Sequence, residues 1–261
     1  MIILFIRKAP VLDASVSDHS TYSFEKHYES LLAKNYTWMF GDYRKKVEEY
    51  TSLFQDLGIY PNPCNKAIDL GCGSGFQSVA LAMLGFEVLS IDLNKTLLDE
   101  LKGNSRNHKI TTIQANLLDF ARYAMDSELI ICMGDTLSHL DSFGEIERLF
   151  SNVLENLRKK GKFLISFRDY SMELLGLDRI IPVQNDDNKI MTTFLEYTEN
   201  SVFVHDMIYM KEHHGWKLYK SYYKKLRITS IWIKEQFKKL GFEIIHHETL
   251  TGFVYILAQK K

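Results

Sequence analysis

Five short apolar runs alternate with helical patterns over residues 66–170, and this rhythm constrains the fold more than any other feature. The runs are continuously apolar, which is typical of parallel strands that are covered on both faces. Stretches with apolar residues three and four apart separate the runs and predict helices. The runs cover residues 66–71, 87–93, 111–117, 127–135 and 162–170. The sequence therefore predicts an α/β fold with a doubly wound, mostly parallel sheet.

The segments around this core follow other patterns. Residues 1–60 have aromatic and apolar residues at helical spacing, which predicts a helical cap that breaks at Gly41 and ends at Gly58. Beyond Tyr170, three long stretches of alternating polarity predict a small antiparallel β insertion, and a helix with a strand pair follows it. The predicted domains are a helical cap (1–60), a Rossmann-like domain (61–170 and 229–261) and a β lid (171–228).

Composition limits the partners and the compartment. The formal net charge of −1 over 261 residues gives no reason to expect DNA or an anionic membrane as a partner. Three cysteines without a CxxC pair favour a reducing compartment and argue against zinc. The first ten residues, "MIILFIRKAP", are too short to span a bilayer and lack the charge order of a signal peptide, so we expect a loose start or a short strand there. We therefore expect a cytoplasmic protein without a metal site.

A glycine-rich loop, "GCGSG" at residues 71–75, joins the first predicted strand to its helix. Such a loop brings backbone N–H groups and a helix N-terminus to the ligand-binding edge of the sheet. Phe76 and Ser78 stand where a dinucleotide-binding loop has its third glycine, and no Gly-Lys-Ser/Thr follows, so pyrophosphate binders and P-loops are disfavoured. Asp92 ends the next strand, 21 residues beyond Gly71. Its carboxylate either accepts the hydroxyl hydrogens of a ribose or caps the following helix.

Five segments in order resemble the successive motifs of the class I S-adenosylmethionine-dependent methyltransferases. They are "AIDLGCGSG" (67–75), "LSIDLN" (89–94), "IQANLLDF" (113–120), "LIICMGDTLSHL" (129–140) and "GKFLISFRDY" (161–170). The resemblance implies a seven-stranded sheet whose last strand is antiparallel, S-adenosyl-L-methionine as the cofactor and S-adenosyl-L-homocysteine as its product. The β insertion resembles the lid of small-molecule N- and O-methyltransferases, with the glycine and sarcosine type as the nearest analogy.

The resemblance also implies which residues hold the cofactor. Asp69 receives its ammonium group, Asp92 holds its ribose, and the loop glycines let the backbone approach its amino-acid half. Asn116 either accepts a hydrogen bond from the adenine amino group or caps the turn that follows, and Leu117 is either an adenine wall or part of the core. Cys72 is a small residue that fills the loop. The implied set is Asp69, Gly71, Cys72, Gly73, Gly75, Asp92, Leu93, Asn116, Leu117, Met133 and Gly134.

Four candidate catalytic residues follow the fourth and fifth strands and reach the same sheet edge. They are Asp135, His139, Arg168 and Tyr170. Asp135 and His139 either orient an acceptor or remove its proton, or Asp135 caps the next turn and His139 packs against its neighbours. Arg168 either binds an acceptor carboxylate beside Tyr170, or pairs with Asp169 or the N-terminal helix. Methyl transfer from a sulfonium depends mainly on alignment and exclusion of water, so no strong acid/base signature is required.

Aromatic residues in the N-terminal segment have two interpretations. Tyr28, Tyr36 and Trp38 either close over the cofactor or pack as core. Within the insertion, His205 is a weaker candidate for the acceptor site. The basic stretch "YKSYYKKLR" predicts an exposed strand whose lysines prevent edge-to-edge pairing.

Together these features predict S-adenosylmethionine-dependent methyl transfer to a nitrogen or oxygen of a small molecule enclosed by the N-terminal helix and the β lid. Two alternatives stay open. One is a tRNA or rRNA methyltransferase that binds RNA through the basic face of the insertion, although a lid of this size favours a small acceptor. The other is a non-catalytic protein that binds an adenosyl ligand. A homodimer also stays open.

Overall fold

The computed structural model describes residues 31–123, 126–213, 215–250 and 252–261. Eleven strands lie within these ranges: β1 (Lys66–Leu70), β2 (Glu87–Asp92), β3 (Ile110–Gln114), β4 (Ser127–Cys132), β5 (Leu157–Arg168), β6 (Ile180–Asn185), β7 (Lys189–Tyr197), β8 (Ser201–Glu212), β9 (Gly215–Leu226), β10 (Glu243–Leu250) and β11 (Phe253–Gln259). The α-helices of the same ranges are α1 (Tyr36–Phe40), α2 (Tyr43–Asp56), α3 (Phe76–Met83), α4 (Lys95–Asn104), α5 (Phe143–Asn156) and α6 (Ser230–Leu240).

The main sheet has seven strands in the order β10-β11-β5-β4-β1-β2-β3. Strands β1 to β5 are parallel, whereas β11 runs antiparallel to both β5 and β10. The chain moves outward from β1 to β3 and then returns to β4 on the other side of β1. The carboxyl ends of β1 and β4 therefore flank the topological switch point, where ligands bind in open α/β sheets. The predicted fold class is confirmed.

Polar side chains begin the helices that cover the main sheet. Asp42, Asn94, Ser142 and Thr229 each accept a hydrogen bond from the backbone N–H three residues later, which satisfies an otherwise unpaired donor. Helix α5 turns one apolar face to the sheet. That buried face consists of Ile146, Leu149, Phe150 and Val153.

Helix α5 differs from its predicted length. The sequence pattern extends the helix to Gly161, but α5 ends at Asn156 and β5 begins at Leu157. The Nζ atom of Lys260 donates to the carbonyl oxygens of Leu154 and Leu157, at 2.6 Å each. These bonds satisfy carbonyl groups at the helix end. A lysine about a hundred residues away thus helps to fix the boundary, which no local pattern reveals.

A second sheet is wholly antiparallel, in the order β6-β7-β8-β9. The sequence pattern predicts only β7, β8 and β9, so the prediction of three strands is wrong by one. Strand β6 is short and contains Pro182, a residue that argues against a strand but is tolerated at a sheet edge because it needs no ladder hydrogen bond there. Along β8, Val202, Val204, Asp206 and Ile208 are buried and alternate with more exposed residues.

The N-terminal helices follow the predicted breaks. Gly41 separates α1 from α2 with φ of +83°, and Gly58 follows α2 with φ of +62°. The predictions for "MIILFIRKAP" and Tyr28 lie outside the described residues. Among the helices that the structure describes, none has the length and apolar composition needed to cross a bilayer.

Candidate functional site

The glycines of the loop after β1 are required by close packing. A Cβ atom on Gly71 would lie 2.3 Å from Cγ2 of Thr136, and one on Gly75 would lie 2.1 Å from Cδ1 of Leu101. Both glycines also have positive φ angles, +73° and +89°, which residues with a side chain rarely adopt. At these two positions, protein atoms alone are enough to exclude a side chain.

Gly73, the remaining glycine of the loop, faces the N-terminal cap. The Tyr36 ring lies 3.2 Å from the place where a Cβ of Gly73 would be, and the Tyr43 hydroxyl donates to the Ser74 carbonyl at 3.1 Å. The rings of Tyr43 and Phe76 have centroids 4.8 Å apart. Phe76, which distinguishes this loop from a dinucleotide-binding loop, is therefore the base on which α1 and α2 pack. Tyr36 lies directly over the loop.

Asp92 connects the end of β2 to the glycine loop. Its Oδ2 accepts from the backbone N–H of Gly73 and its Oδ1 from that of Asn94, both at 2.8 Å. The helix cap is Asn94, whose side chain accepts from the N–H of Leu97, so the capping interpretation of Asp92 is wrong. Burial raises the pKa of Asp92, partly offset by these backbone bonds. The neighbouring Leu93 side chain is exposed.

Asp69 is fully buried beneath the loop. Its Oδ2 accepts from the Ser78 hydroxyl at 2.6 Å, which in turn accepts from the Ser90 hydroxyl at 2.8 Å. Burial raises the pKa of Asp69 to about 7, with a smaller contribution from the charge of Asp92 and opposition from the Ser78 bond. Burial likewise raises the pKa of Cys72 well above its ordinary value, so this thiol is a poor nucleophile, as expected for a residue that fills the loop.

The ends of β3 and β4 carry the remaining predicted cofactor residues. Asn116 caps the short 3₁₀ helix that follows it, because its Oδ1 accepts from the N–H of Leu118 at 2.9 Å. The predicted adenine contact of Asn116 stays a prediction, as does that of Leu117, which packs against the core. Met133 is buried, and the N–H of Gly134 donates to the Ser166 hydroxyl at 2.8 Å.

Two local features of this edge suit a polar ligand. The Ser74 hydroxyl is buried within the loop and has no hydrogen-bond partner in the described part of the chain, which is costly unless a ligand supplies one. Gly134 has a φ of +69° and open space where its Cβ would be, in contrast to the filled surroundings of Gly71. This edge therefore offers an unsatisfied donor in the loop and room beside Gly134, and the residues present fit an adenosyl amino-acid ligand.

Asp135 joins three donors at the carboxyl edge of β4. Its Oδ2 accepts from Lys225 Nζ at 2.7 Å and from Arg168 Nη1 at 3.2 Å, and its Oδ1 accepts from the Arg168 backbone N–H at 2.9 Å. The side chains of Asp135 and Lys225 are only 10% and 4% exposed, whereas that of Arg168 is 50% exposed. Burial alone would raise the pKa of Asp135, but the charges of Lys225 and Arg168 outweigh it and lower that pKa to about 2.

This arrangement decides between the earlier interpretations. Asp135 makes no side-chain capping bond, so its capping interpretation is wrong. Within the described residues, Arg168 pairs with Asp135 rather than with Asp169, and the part of the N-terminal helix before residue 31 lies outside them. The carboxylate of Asp169 instead accepts from the backbone N–H groups of Ser171 and Ser230.

Aromatic rings surround the charged cluster. Lys225 Nζ lies 5.5 Å from the Tyr223 ring centroid, and the rings of Tyr223 and His139 are 5.3 Å apart. The Arg168 guanidinium lies 4.6 Å from the ring centroid of Phe253. Burial raises the pKa of the nearby Tyr170 phenol. The structure thus brings all four candidate catalytic residues to one edge of the sheet.

Sequence reasoning missed Lys225, and the weaker acceptor-site candidate His205 lies on the other face of the insertion. In β8 and β9, Val202 pairs with Lys225, and residues two apart share a face, so Lys225, Tyr223 and Asp206 lie on the face that meets Asp135. His205 lies on the opposite face, where its ring bonds Glu196 at 2.9 Å. The alternating residues of "YKSYYKKLR" indicate a strand with two different faces. Only the pairing with β8 shows which of these faces is buried.

The other candidates lie apart from this cluster. Trp38 Nε1 donates to Asp186 Oδ2 at 2.5 Å, and Lys189 Nζ lies 5.2 Å from its ring, so Trp38 contacts the turn between β6 and β7. No group of three side chains able to hold a metal ion occurs in the ranges that the structure describes.

Comparison with known proteins agrees with this architecture. Residues 67–161 match the family described as "Methyltransferase domain". The chain is 25% identical over 160 residues to glycine N-methyltransferase of Rattus norvegicus, a match that covers 56% of this chain and 54% of the relative. The chain thus spans about half the length of the curated glycine N-methyltransferases that it matches.

Solved structures share the fold over nearly the whole chain. SAM-bound CalS10, an amino pentose methyltransferase from Micromonospora echinaspora, has a TM-score of 0.68 and 12% identity, and the match covers 94% of this chain and 100% of CalS10. An S-adenosylmethionine-dependent methyltransferase from Clostridium acetobutylicum has a TM-score of 0.66 and 15% identity, with 90% and 97% covered. Residues 67–161 thus match a methyltransferase domain, and the chain shares its strand order and fold with solved S-adenosylmethionine-dependent methyltransferases.

Proposed function

We propose that this protein transfers a methyl group from S-adenosylmethionine to a nitrogen or oxygen of a small molecule, beneath the N-terminal helices and the inserted sheet. One observation carries the proposal. The inserted sheet places Lys225 against Asp135 and Arg168, at the carboxyl edge that also bears the glycine loop. A cofactor-binding loop and a charged acceptor site on one edge are what a transfer reaction between two ligands requires.

In this proposal, the residues around the loop hold the cofactor. Asp92 accepts the ribose hydroxyls and already orders Gly73 through its other lone pairs. Asp69 lies behind the loop toward the ammonium group, and the unsatisfied Ser74 hydroxyl faces a ligand group. The exposed Leu93, with Asn116 and Leu117, forms the adenine side. When bound, the cofactor supplies a methyl group on a sulfonium that needs no further activation.

Arg168 is the acceptor-binding residue of this proposal. It is the exposed member of the charged cluster, and a guanidinium binds a carboxylate with two parallel hydrogen bonds. Asp135 remains ionised because its pKa is about 2, and such a weak base removes protons poorly at neutral pH. We therefore assign Asp135 the role of orienting Arg168. Tyr170 supports Arg168 from the other side.

Calorimetric titration with S-adenosylmethionine and S-adenosylhomocysteine tests the cofactor part. We expect Asp92→Ala to weaken binding at least tenfold, because it removes both a ribose acceptor and the bond that orders the loop. Asp99→Ala, an exposed acid on α4, is the matched control and should bind as the wild type does. Folded wild-type protein that binds neither compound would refute the proposal.

A transfer assay separates catalysis from binding alone. Methyl-labelled cofactor is incubated with the protein and a metabolite extract, and label that reaches any small molecule supports the enzyme. Cofactor binding without transfer to any acceptor would favour the alternative of a non-catalytic adenosyl-binding protein.

The small-molecule acceptor is favoured over RNA by one feature of the insertion. Lys225, a member of its basic stretch, is buried against Asp135, and Lys217 is paired with Glu212 at 3.7 Å, so less positive charge is available to phosphates. An RNA-binding enzyme would show RNA affinity that falls steeply with salt. We expect no such salt-dependent binding.

A further inference from the structure

Lys225 is an unusual lysine. Its side chain is 4% exposed, it comes from the inserted sheet, and it reaches across to a carboxylate of the main sheet at 2.7 Å. A buried ammonium group is costly unless it is paired, so its position is fixed by Asp135. On the same face of β9, Tyr223 lies two residues before it and offers its ring to the ammonium group.

The charges of this cluster do not cancel. Asp135 carries one negative charge, and both Lys225 and Arg168 lie within ion-pair distance of its Oδ2. The carboxylate of neighbouring Asp169 accepts from backbone N–H groups at the start of α6 and at Ser171, and it forms no ion pair with Arg168 in the described part of the chain. Tyr170 stays neutral because burial raises its pKa. Among the ion pairs of the described residues, one positive charge is therefore left over in this cluster.

The excess positive charge lies on Arg168, the solvent-exposed member of the cluster. Of the three side chains only Arg168 is open to solvent, at 50% against 10% and 4%. Its guanidinium stacks on Phe253 and gives Nη1 to Asp135 at a long 3.2 Å, while Lys225 makes the shorter bond to the same oxygen. Lys225 thus takes up the carboxylate charge that would otherwise neutralise Arg168.

We propose that Lys225 is a positioning residue that determines specificity: by satisfying Asp135, it leaves the Arg168 guanidinium with an uncompensated positive charge that selects acceptors bearing an anionic group. This inference rests on the proposed function for its acceptor site. Lys225 itself does not touch the acceptor. Removing its charge alone leaves Asp135 to neutralise Arg168, and removing both charges frees Arg168 again.

Acetate is the probe, and its affinity is measured by NMR on the Arg168 Nε–H signal, assigned by its absence in Arg168→Lys. We expect saturable binding of acetate to the wild type and no response to methylammonium chloride at equal ionic strength. Lys225→Met should weaken acetate binding at least fivefold. The double variant Lys225→Met with Asp135→Asn should recover most of the affinity, because the cluster again has a net charge of about +1. Lys225→Arg should retain it.

A matched control and three outcomes decide the inference. Lys224→Met removes an exposed lysine from the other face of β9 and should bind acetate as the wild type does. Wild-type affinity in Lys225→Met, failure of the double variant to recover, or a wild type that does not respond to acetate would each overturn the inference. Thermal unfolding of each variant verifies folding. The acetate titration needs no cofactor. A failure of the proposed function would appear instead as absent S-adenosylhomocysteine binding, so the two failures can be distinguished.

Discussion

The two ligand regions of this protein are built in opposite ways. The cofactor side depends on residues close in sequence, a loop at 71–75 and Asp92, which hydrogen-bond each other directly. The acceptor side joins Asp135, Arg168 and Lys225 from three separate elements, one of them in the inserted sheet. A motif describes the first region almost completely, whereas the second exists only through tertiary packing. Changes to the acceptor side should therefore affect stability and charge together.

The largest expected loss of stability comes from a substitution on the acceptor side. Asp135→Ala removes the partner of a buried ammonium group, and we expect a loss of about 3–5 kcal/mol in the free energy of unfolding, since an unpaired buried charge is strongly destabilising. Adding Lys225→Met should recover most of this loss. Urea unfolding of the two variants measures both values. A single variant within about 1 kcal/mol of the wild type would show that Lys225 reaches water by another rotamer.

The pH dependence of stability sharpens the contrast between the two buried aspartates. Because the folded pKa of Asp135 is lowered to about 2, its stabilisation is present above about pH 4 and is lost as the pH falls toward 2. Asp69 behaves in the opposite sense: its folded pKa is raised to about 7, so stability falls as the pH rises from about 4 to 7.

Isosteric variants separate these two contributions. Relative to the wild type, Asp69→Asn should gain stability between pH 4 and 7, and Asp135→Asn should flatten the loss of stability below pH 4. The effect is roughly 4 kcal/mol for Asp69→Asn at pH 7 and roughly 2–3 kcal/mol for Asp135→Asn at low pH, and urea titrations at several pH values measure both. Parallel pH profiles for wild type and Asp69→Asn over pH 4 to 7 would contradict the assignment of a raised pKa to Asp69.

The difference between the regions also explains what sequence reasoning reached. The strand–helix alternation, the glycine loop and Asp92 followed from apolar runs and local spacing, and the seven-stranded sheet was implied by the family resemblance. Lys225 did not, because its role depends on the register of β8 and β9, in which Val202 pairs with Lys225. The weaker candidate His205 lies on the opposite face from Lys225, because neighbouring residues of a strand point to opposite faces. The end of α5 depended on Lys260, which is distant in sequence.

A smaller effect tests why the loop needs glycine. Gly71→Ala should destabilise the protein by about 2–3 kcal/mol, because the new methyl group meets Thr136 and the backbone keeps a positive φ. Thr136→Ala should relieve the packing part of this cost in the double variant and leave the backbone part. Urea unfolding of the two single variants and the double variant gives the coupling free energy between positions 71 and 136. Additive losses would mean that packing against Thr136 does not set the requirement.

The smallest expected effect concerns the contact between the N-terminal cap and the inserted sheet. Trp38 donates to the exposed Asp186 carboxylate, and Lys189 lies over its ring. Trp38→Phe keeps an aromatic ring for Lys189 and removes only the N–H donor, so we expect a loss of about 0.5–1 kcal/mol in stability. Asp186→Asn should cost no more, and the double variant should cost less than the sum of the two, because both single changes remove one bond. Strictly additive losses would show that this hydrogen bond does not couple the cap to the insertion. Cofactor affinity should stay unchanged in Trp38→Phe, since Tyr36, and not Trp38, lies over the glycine loop.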